Sequence, residues 1–410
     1  MSSSMFPLVR LARVARRVPP IKSVSSCSIG LESVESWSGR LIEESLEPAD
    51  SEGAEFEQGD ILFGKLRPYL AKVWVADRPG TYIGDFIRLR PFRDCDPEFL
   101  GYVLRSREVI EAASAESLGT KMPRTEWERL RQLQVPAPPL EVQHQVVDYL
   151  DRETAEIDAF INDLHDLKVL ASEHFSSLRS ETLRQPSSVG KETDSHSVPL
   201  TRALPHRVDY RGATPTKVDD GIQLVTARNI RPGWIDYESS QEFISPKDYS
   251  QVMSRGLPII GDILFTMEAP LGNAALVDRT DVALAQRVIK FTPTLGVDSR
   301  FMCHVMNSNE FQHQLRELAT GSTALGLKAS KLHQLRVLIP DAPTQKRAVR
   351  ILDDAWSSLV RLQDLVDEAK KLALERRSSL ISAAVTGQID VTAQRKSAAE
   401  QLQDELEAKV

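Results

Sequence analysis

The sequence predicts an α+β chain in which two pseudo-repeated α/β domains are separated by two long helices that form an antiparallel coiled coil. Three observations carry this expectation. Gly59-Asp60-Ile61-Leu62-Phe63 recurs as Gly261-Asp262-Ile263-Leu264-Phe265, 202 residues later. The same offset relates Pro68 to Pro270, Val75 to Val277, Ile87 to Ile289, Asp96 to Asp298, Phe99 to Phe301, Gln143 to Gln345 and Leu150-Asp151 to Leu352-Asp353. A self-similarity that long marks a duplicated structural unit. Each copy then runs into a stretch whose apolar residues repeat every seven positions, the signature of a coiled-coil seam.

The elements follow in order. Pro7-Leu8 and Arg10 match Pro199-Leu200 and Arg202 at an offset of 192, so the second copy carries ten extra residues early on. The arginines from Arg10 to Arg17 resemble a transit peptide in composition. The repeat explains them better, as the beginning of copy one. Ile61-Leu62-Phe63, Val73-Trp74-Val75 and Ile87-Arg88-Leu89 are short apolar runs bounded by Gly, Pro and Asp, which predicts strands and turns. Residues 97–115 read as helix. Pro136, Pro138 and Pro139 precede one long helix, and Pro340 and Pro343 precede or open the other, as proline does at a helix start. The seam is Leu150, Ile157, Leu164, Ala171 and Leu178 in the first helix, and Leu352, Leu359, Val366, Ala373 and Leu380 in the second. At 1.5 Å per residue, a helix of about 45 residues is roughly 65 Å long. The expected layout is a first domain over 1–139, a helix over 140–185 and a linker over 186–197. A second domain over 198–341, a helix over 342–386 and a tail over 387–410 complete it.

Charge narrows the function. The chain has 51 Lys and Arg against 58 Asp and Glu over 410 residues, a net −7. Residues 141–185 alone hold 4 basic and 10 acidic side chains. The remainder is near neutral, which excludes a generally basic DNA-coating protein and leaves room for a specific surface. Three scattered cysteines suit neither a disulfide framework nor a zinc cluster, and point to a reducing cytoplasm. No apolar run approaches the roughly 20 residues that span a bilayer.

Catalytic patterns are missing. Gly59, Gly64 and Lys65 have phosphate-loop spacing, but Leu66 stands where Ser or Thr would hold magnesium, and the intervening residues read as a strand. The sequence has no H-E-x-x-H, no G-x-S-x-G, no dinucleotide fingerprint and no histidines at ligand spacing, so no catalytic residue and no metal site is expected. The chain reads as a carrier of two similar surfaces.

Four stretches now identify a resemblance. Gly59-Asp60-Ile61-Leu62-Phe63-Gly64-Lys65-Leu66-Arg67-Pro68-Tyr69-Leu70 resembles the signature of the target-recognition domain of type I restriction-modification specificity subunits, as does the run from Ile29-Gly30-Leu31 to Gly39-Arg40-Leu41. Val135-Pro136-Ala137-Pro138-Pro139-Leu140-Glu141-Val142-Gln143 is similar to the start of the family's central conserved helix, and Ala384-Val385-Thr386-Gly387-Gln388-Ile389-Asp390-Val391 to the close of its distal one. The likeness covers nearly the whole chain, including the two-copy layout.

The resemblance implies a non-catalytic subunit that binds double-stranded DNA. Each recognition domain reads half of a split target, and the helices fix the gap and dock the partners. Those partners are two methyltransferase subunits, which methylate adenine N6, and translocase/nuclease subunits. The chain itself binds no cofactor; S-adenosylmethionine, ATP and magnesium belong to the partners. Near-neutral recognition domains imply weak binding by the chain alone. Two other readings are a recognition subunit of a related or nuclease-free defence system, and a coiled-coil adaptor that binds no DNA.

Candidate DNA contacts are Lys65, Arg67 and Lys72 after the first Gly-Asp-Ile-Leu-Phe strand, suited to phosphates or guanine edges. Lys121 and Arg124 in the following Gly119–Arg124 loop, matched by the loop from Gly321 to Lys328, are further candidates. In copy two the candidates are Arg228 and Asn229 after Val225, with Gln286 and Arg287. Copy one has Gly64-Lys65-Leu66-Arg67 where copy two has Thr266-Met267-Glu268-Ala269. An asymmetric target is expected.

Overall fold

Gly59 and Gly261 sit at φ +82° and +88°, a left-handed backbone that glycine adopts without strain. Each turns the chain sharply into an apolar strand. A computed structural model of the protein describes residues 5–23, 28–42, 53–117, 119, 122–184, 196–210, 215–284, 287–321 and 325–391. Its two units are Met1–His165 with Asp367–Val410, and Asp166–Val366.

The first unit contains β1 (Leu8–Arg10), β2 (Ala15–Arg17), β3 (Lys22–Ser23), β4 (Ser28–Ile29), β5 (Gly53–Phe56), β6 (Ile61–Gly64), β7 (Val73–Val75), β8 (Gly80–Tyr82), β9 (Phe86–Pro91) and β10 (Gln134–Pro136). Its short helices are α1 (Pro97–Arg105), α2 (Arg107–Ala115) and α3 (Trp127–Leu130). One sheet runs β2-β9-β6-β7, a second β3-β5-β8-β4, and β1 pairs with β10. The pairs are antiparallel except β4 with β8. Strand β6 is apolar at consecutive positions because both its faces are covered. Ile61 and Phe63 join a core with Leu11, Leu89 and Phe99, while Leu62 joins another with Ile29, Phe56 and Trp74. Burying each such side chain stabilises the fold by about 1.5–3 kcal/mol.

The second unit repeats this plan. It contains β11 (His196–Pro199), β12 (His206–Asp209), β13 (Lys217–Val218), β14 (Ile222–Val225), β15 (Ile230–Arg231), β16 (Trp234–Ile235) and β17 (Phe243–Ile244). Then follow β18 (Ile263–Met267), β19 (Leu271–Leu276), β20 (Ala283–Leu284), β21 (Val288–Thr292) and β22 (Arg336–Ile339). Its short helices are α5 (Leu200–Ala203), α6 (Tyr249–Val252), α7 (Ser299–Met306) and α8 (Asn309–Leu318). The sheets run β12-β21-β18-β19 and β13-β17-β14-β20, with the ribbons β11-β22 and β15-β16. Ile263 and Phe265 again face one core and Leu264 the other.

The aspartate of each repeated motif is buried and ion-paired. Asp60 accepts from Arg88 Nε at 2.6 Å and Arg90 Nε at 2.7 Å. Asp262 pairs with Lys290 and accepts from Thr292 Oγ1 at 2.7 Å. The partners stand at the same offset of 202 as the aspartates. Other identities between the copies are explained in the same way. Asp96 caps α1 by accepting from the Phe99 N–H, and Asp298 caps α7 by accepting from the Phe301 N–H, both at 2.9 Å. Gln143 and Gln345 each accept the N–H of their capping aspartate at 2.8 Å.

Two expectations are corrected. Residues 97–115 form two helices, because Ser106 adopts ψ +148° and spends its hydroxyl on the Val103 carbonyl. The alignment of Val75 with Val277 is one residue out of step. Ile61 pairs with Val75, but Ile263 pairs with Leu276, so the β18–β19 hairpin is one residue shorter.

The long helices are α4 (Leu140–Arg184) and α9 (Ala342–Val385), packed antiparallel. Leu150, Ile157, Leu164, Leu352, Leu359, Val366 and Ala373 are buried, while Ala171, Leu178 and Leu380 are half-buried. The direction is visible within the second unit. Phe175 meets Trp356 with ring centroids 5.3 Å apart, and Gln363 reaches Ser172 at 3.4 Å. Within the first unit, Arg377 donates to Asp158 at 3.2 Å. Several positions three before a seam residue carry polar or aromatic side chains that pair between the helices, Phe175 with Trp356, Gln363 with Ser172 and Arg377 with Asp158, and such pairs fix register.

Each long helix contributes to both units. Val146 and Leu150 of α4 join the first core with Ile381, Ala384 and Val385 of α9, and Val391 is buried there as well. The fold thus continues into what the sequence suggested was a tail. Leu183 packs on the second core. Ser382 donates to Glu108 at 2.8 Å in the first unit, and Ser180 to Glu310 at 3.1 Å in the second, again at the 202 offset.

Candidate nucleic-acid interface

In the first unit three segments meet where β6 ends. The Lys65 N–H donates to the Asp85 carbonyl at 2.8 Å, the Thr125 N–H to the Lys65 carbonyl at 2.9 Å, and the Arg67 N–H to the Pro123 carbonyl at 2.7 Å. Leu66 bridges Arg124 in antiparallel fashion. This backbone frame brings Arg124 to Lys65 and Arg67, which lie far from it in sequence. Arg124 donates to Asp85 Oδ2 at 2.7 Å, and Lys65 Nζ lies 3.6 Å from Oδ1. Arg67 is exposed, with no side-chain partner among the described residues. Lys65 also lines a cleft of about 380 Å³ with Arg17, Lys22 and Tyr82.

The second unit builds the same junction from other side chains. The Met267 N–H donates to the Arg287 carbonyl at 2.9 Å, the Leu327 N–H to the Met267 carbonyl at 3.0 Å, and Glu268 bridges Gly326. Every one of these contacts is displaced by 202 from its counterpart. The carboxylate now comes from Glu268, at the place of Leu66, and the cation from Arg287, at the place of Asp85. Arg287 Nε lies 3.7 Å from Glu268 Oε2. Both line a cleft of about 280 Å³ with Lys328, which is exposed.

The remaining candidates fall elsewhere. Lys72 donates to the Leu31 and Val34 carbonyls at 2.6 and 2.8 Å, and burial lowers its pKa. It ties two loops together. Arg228 is exposed at the tip of the Thr226–Asn229 turn. Asn229 is fully buried. It accepts the Thr226 N–H and hydroxyl at 2.9 and 3.0 Å, and donates to the Asp236 and Ser240 carbonyls at 2.9 and 3.0 Å. This corrects the reading of Asn229 as a base reader: its amide has no group left for a base, and it organises the loop that carries Arg228. Asn229→Ala should therefore lower the stability of the second unit by about 1–3 kcal/mol, since it orphans buried backbone groups. Thermal unfolding measures this. An unchanged midpoint with relaxed target choice would instead make it a reader. Lys121 and Gln286 lie outside the described residues, as do Cys27, 185–195 of the linker and 392–410 of the tail.

Sequence reasoning missed Arg17, Lys22, Asp85 and Glu268. The last two were detectable as charge differences between the copies, since Asp85 aligns with Arg287 and Leu66 with Glu268. Among the described residues no helix is long and apolar enough to cross a membrane, and no group of His, Cys, Asp and Glu is placed to hold a metal ion.

A duplicated α/β binding module on paired antiparallel helices is thus the class of protein that fold and surfaces define. The family model of the type I restriction modification DNA specificity domain matches residues 43–166 and 238–364. The chain belongs to that family. It is 27% identical over 145 residues to the type I restriction enzyme EcoDI specificity subunit of Escherichia coli, covering 34% of this chain and 32% of that protein. The match thus spans about a third of the length of that relative. It is 21% identical over 312 residues to the type I restriction enzyme MjaVIII specificity subunit of Methanocaldococcus jannaschii, covering 72% and 71%. Among solved structures, one described as the structural basis of complex assembly and conformational transition of the type I R-M system superposes with a TM-score of 0.71 at 16% identity, covering 94% of this chain and 98% of that one. The HsdS subunit from Thermoanaerobacter tengcongensis superposes with a TM-score of 0.50 at 16% identity, covering 94% and 97%.

Proposed function

We propose that this chain is the DNA-reading, non-catalytic subunit of a type I restriction-modification complex, and that its two units read the two halves of a bipartite, asymmetric target. In this reading it directs adenine methylation by two methyltransferase subunits and restriction by translocase/nuclease subunits. S-adenosylmethionine, ATP and magnesium act on those partners. Lys65, Arg67 and Arg124 contact the first half-site, with Arg17 and Lys22 on phosphates; Arg228, Arg287 and Lys328 contact the second.

The observation that carries this is the pair of junctions. Two backbone hydrogen bonds and one bridge recur in both, and their side chains are different. A duplicated frame with divergent polar tips is what two readers of unlike base sequences require, because base edges are read by side chains while the frame only positions them.

The test joins methylome sequencing of a host expressing this chain and its methyltransferase to a double substitution. Wild type should methylate one split, non-palindromic motif. Lys65→Ala with Arg67→Ala should weaken binding of the assembled methyltransferase by about 1–3 kcal/mol and leave assembly intact. Unchanged methylation at limiting enzyme would remove both residues from the site.

A further inference from the structure

The carboxylate at each junction is an odd occupant of a surface meant to meet a polyanion. Asp85 holds Arg124 and Lys65 in the first unit, and Glu268 faces Arg287 in the second. Neither is a fold requirement. The side chains of Arg124 and Arg287 are 49% and 52% exposed, and exposed pairs of this kind add little to stability. Nor is it inherited from the duplication, because the two carboxylates stand on different segments of the shared frame. The junctions share the arrangement without sharing the residue.

We infer that Asp85 and Glu268 are specificity-determining positioning residues that hold the junction cations away from the phosphates of arbitrary DNA. This rests on the DNA-reading function proposed above. An arginine already bonded to a carboxylate must give up that bond to take a phosphate, and the phosphate must approach a second anion. Both effects weaken sequence-independent binding, which is made almost wholly of cation–phosphate contacts. The same carboxylate fixes the plane of the guanidinium. Arg124 uses Nη2 on Asp85, so its remaining N–H donors are presented in one orientation. A fork held in that way suits the O6/N7 edge of guanine better than a mobile one, since bidentate contacts discriminate by geometry.

The experiment uses the full chain assembled with its methyltransferase subunits. The probes are a mixed-sequence duplex and a duplex carrying the motif read from the host methylome. Asp85→Asn should bind the mixed-sequence duplex roughly 3–10-fold more tightly at low salt. The slope of log K against log salt should steepen by about 1–2 as Lys65 and Arg124 each gain a phosphate. The motif duplex should gain less, so the ratio between the two falls. Asp85→Glu should restore both quantities toward wild type, and Glu268→Gln should repeat the effect from the second unit. Thermal unfolding of Asp85→Asn should match wild type, which separates this role from a merely structural one. A wild-type slope and ratio in both Asp85→Asn and Glu268→Gln would overturn the inference and leave the DNA reading standing. A wild-type complex that leaves host DNA unmethylated and does not bind the mixed-sequence duplex at low salt would overturn that reading too.

Discussion

Asp60→Ala should destabilise the first unit by about 3–5 kcal/mol, the cost of stranding a buried charge. The side chains of Asp60 and Arg88 are each 1% exposed, and an arginine cannot shed its proton to escape. Arg90, 29% exposed, can turn to solvent and adds less. Asp262→Ala should cost less, because Asp262 serves one cation where Asp60 serves two. Hydrogen exchange of the β6 and β18 amides reads the two units separately. Equal and small losses of protection would show that the ion pairs are dispensable. The pH dependence has a definite sign. Burial raises the Asp60 pKa, but hydrogen bonds from Arg90, the Glu57 N–H and Arg88 outweigh it and hold the carboxyl below its ordinary value. A carboxyl whose pKa is depressed by folding stabilises fully above the unfolded pKa of about 3.9, and that stabilisation is lost as pH falls through the folded value. Acid unfolding of the wild-type first unit should therefore set in below about pH 4, and be blunted in Asp60→Asn.

Exchange of residues 196–341 for the corresponding segment of another member of the family should rewrite one half of the target and leave the other untouched. The cut keeps both strands of the β11–β22 ribbon together, and leaves α4 and α9 with their seam intact. Each mismatched base pair costs about 1–3 kcal/mol, so a half-site of three base pairs would carry about 3–9 kcal/mol of discrimination. Methylome mapping of the chimera reads the result directly. A motif altered in both halves would mean that the units do not read independently.

The periodic parts of this protein were legible in its sequence. Leu150, Ile157 and Leu164 announce a buried seam because a helix returns the same face every seven residues. Ile61-Leu62-Phe63 announces a strand because only a doubly covered one is apolar throughout. The partner column of the seam was not legible, since Gln363 and Arg377 look like solvated residues until the facing helix is known. The same limit governed the site. Lys65, Arg67 and Arg124 share a surface because the chain returns twice to one strand end. Lys72 and Asn229 have the chemistry of DNA-contacting residues yet are spent on backbone carbonyls. Residue type states what a side chain can bond; the fold decides what it meets first. Comparison of the copies could have gone further, since their identities mark shared contacts and their differences mark the junction tips.

The first core draws on Ile381, Ala384, Val385 and Val391, whereas the second unit is one continuous stretch, Asp166–Val366. On the ribosome this inverts the order of completion. The N-terminal domain emerges first but waits for its closing residues, and at about 5–20 residues per second the stretch from 166 to 391 takes on the order of ten to forty-five seconds to make. During that interval the apolar face later covered by the end of α9 is open to solvent and to any chaperone that binds such faces. The domain that starts second can be finished first, and a prematurely terminated chain leaves the older domain unfinished while the younger one is whole.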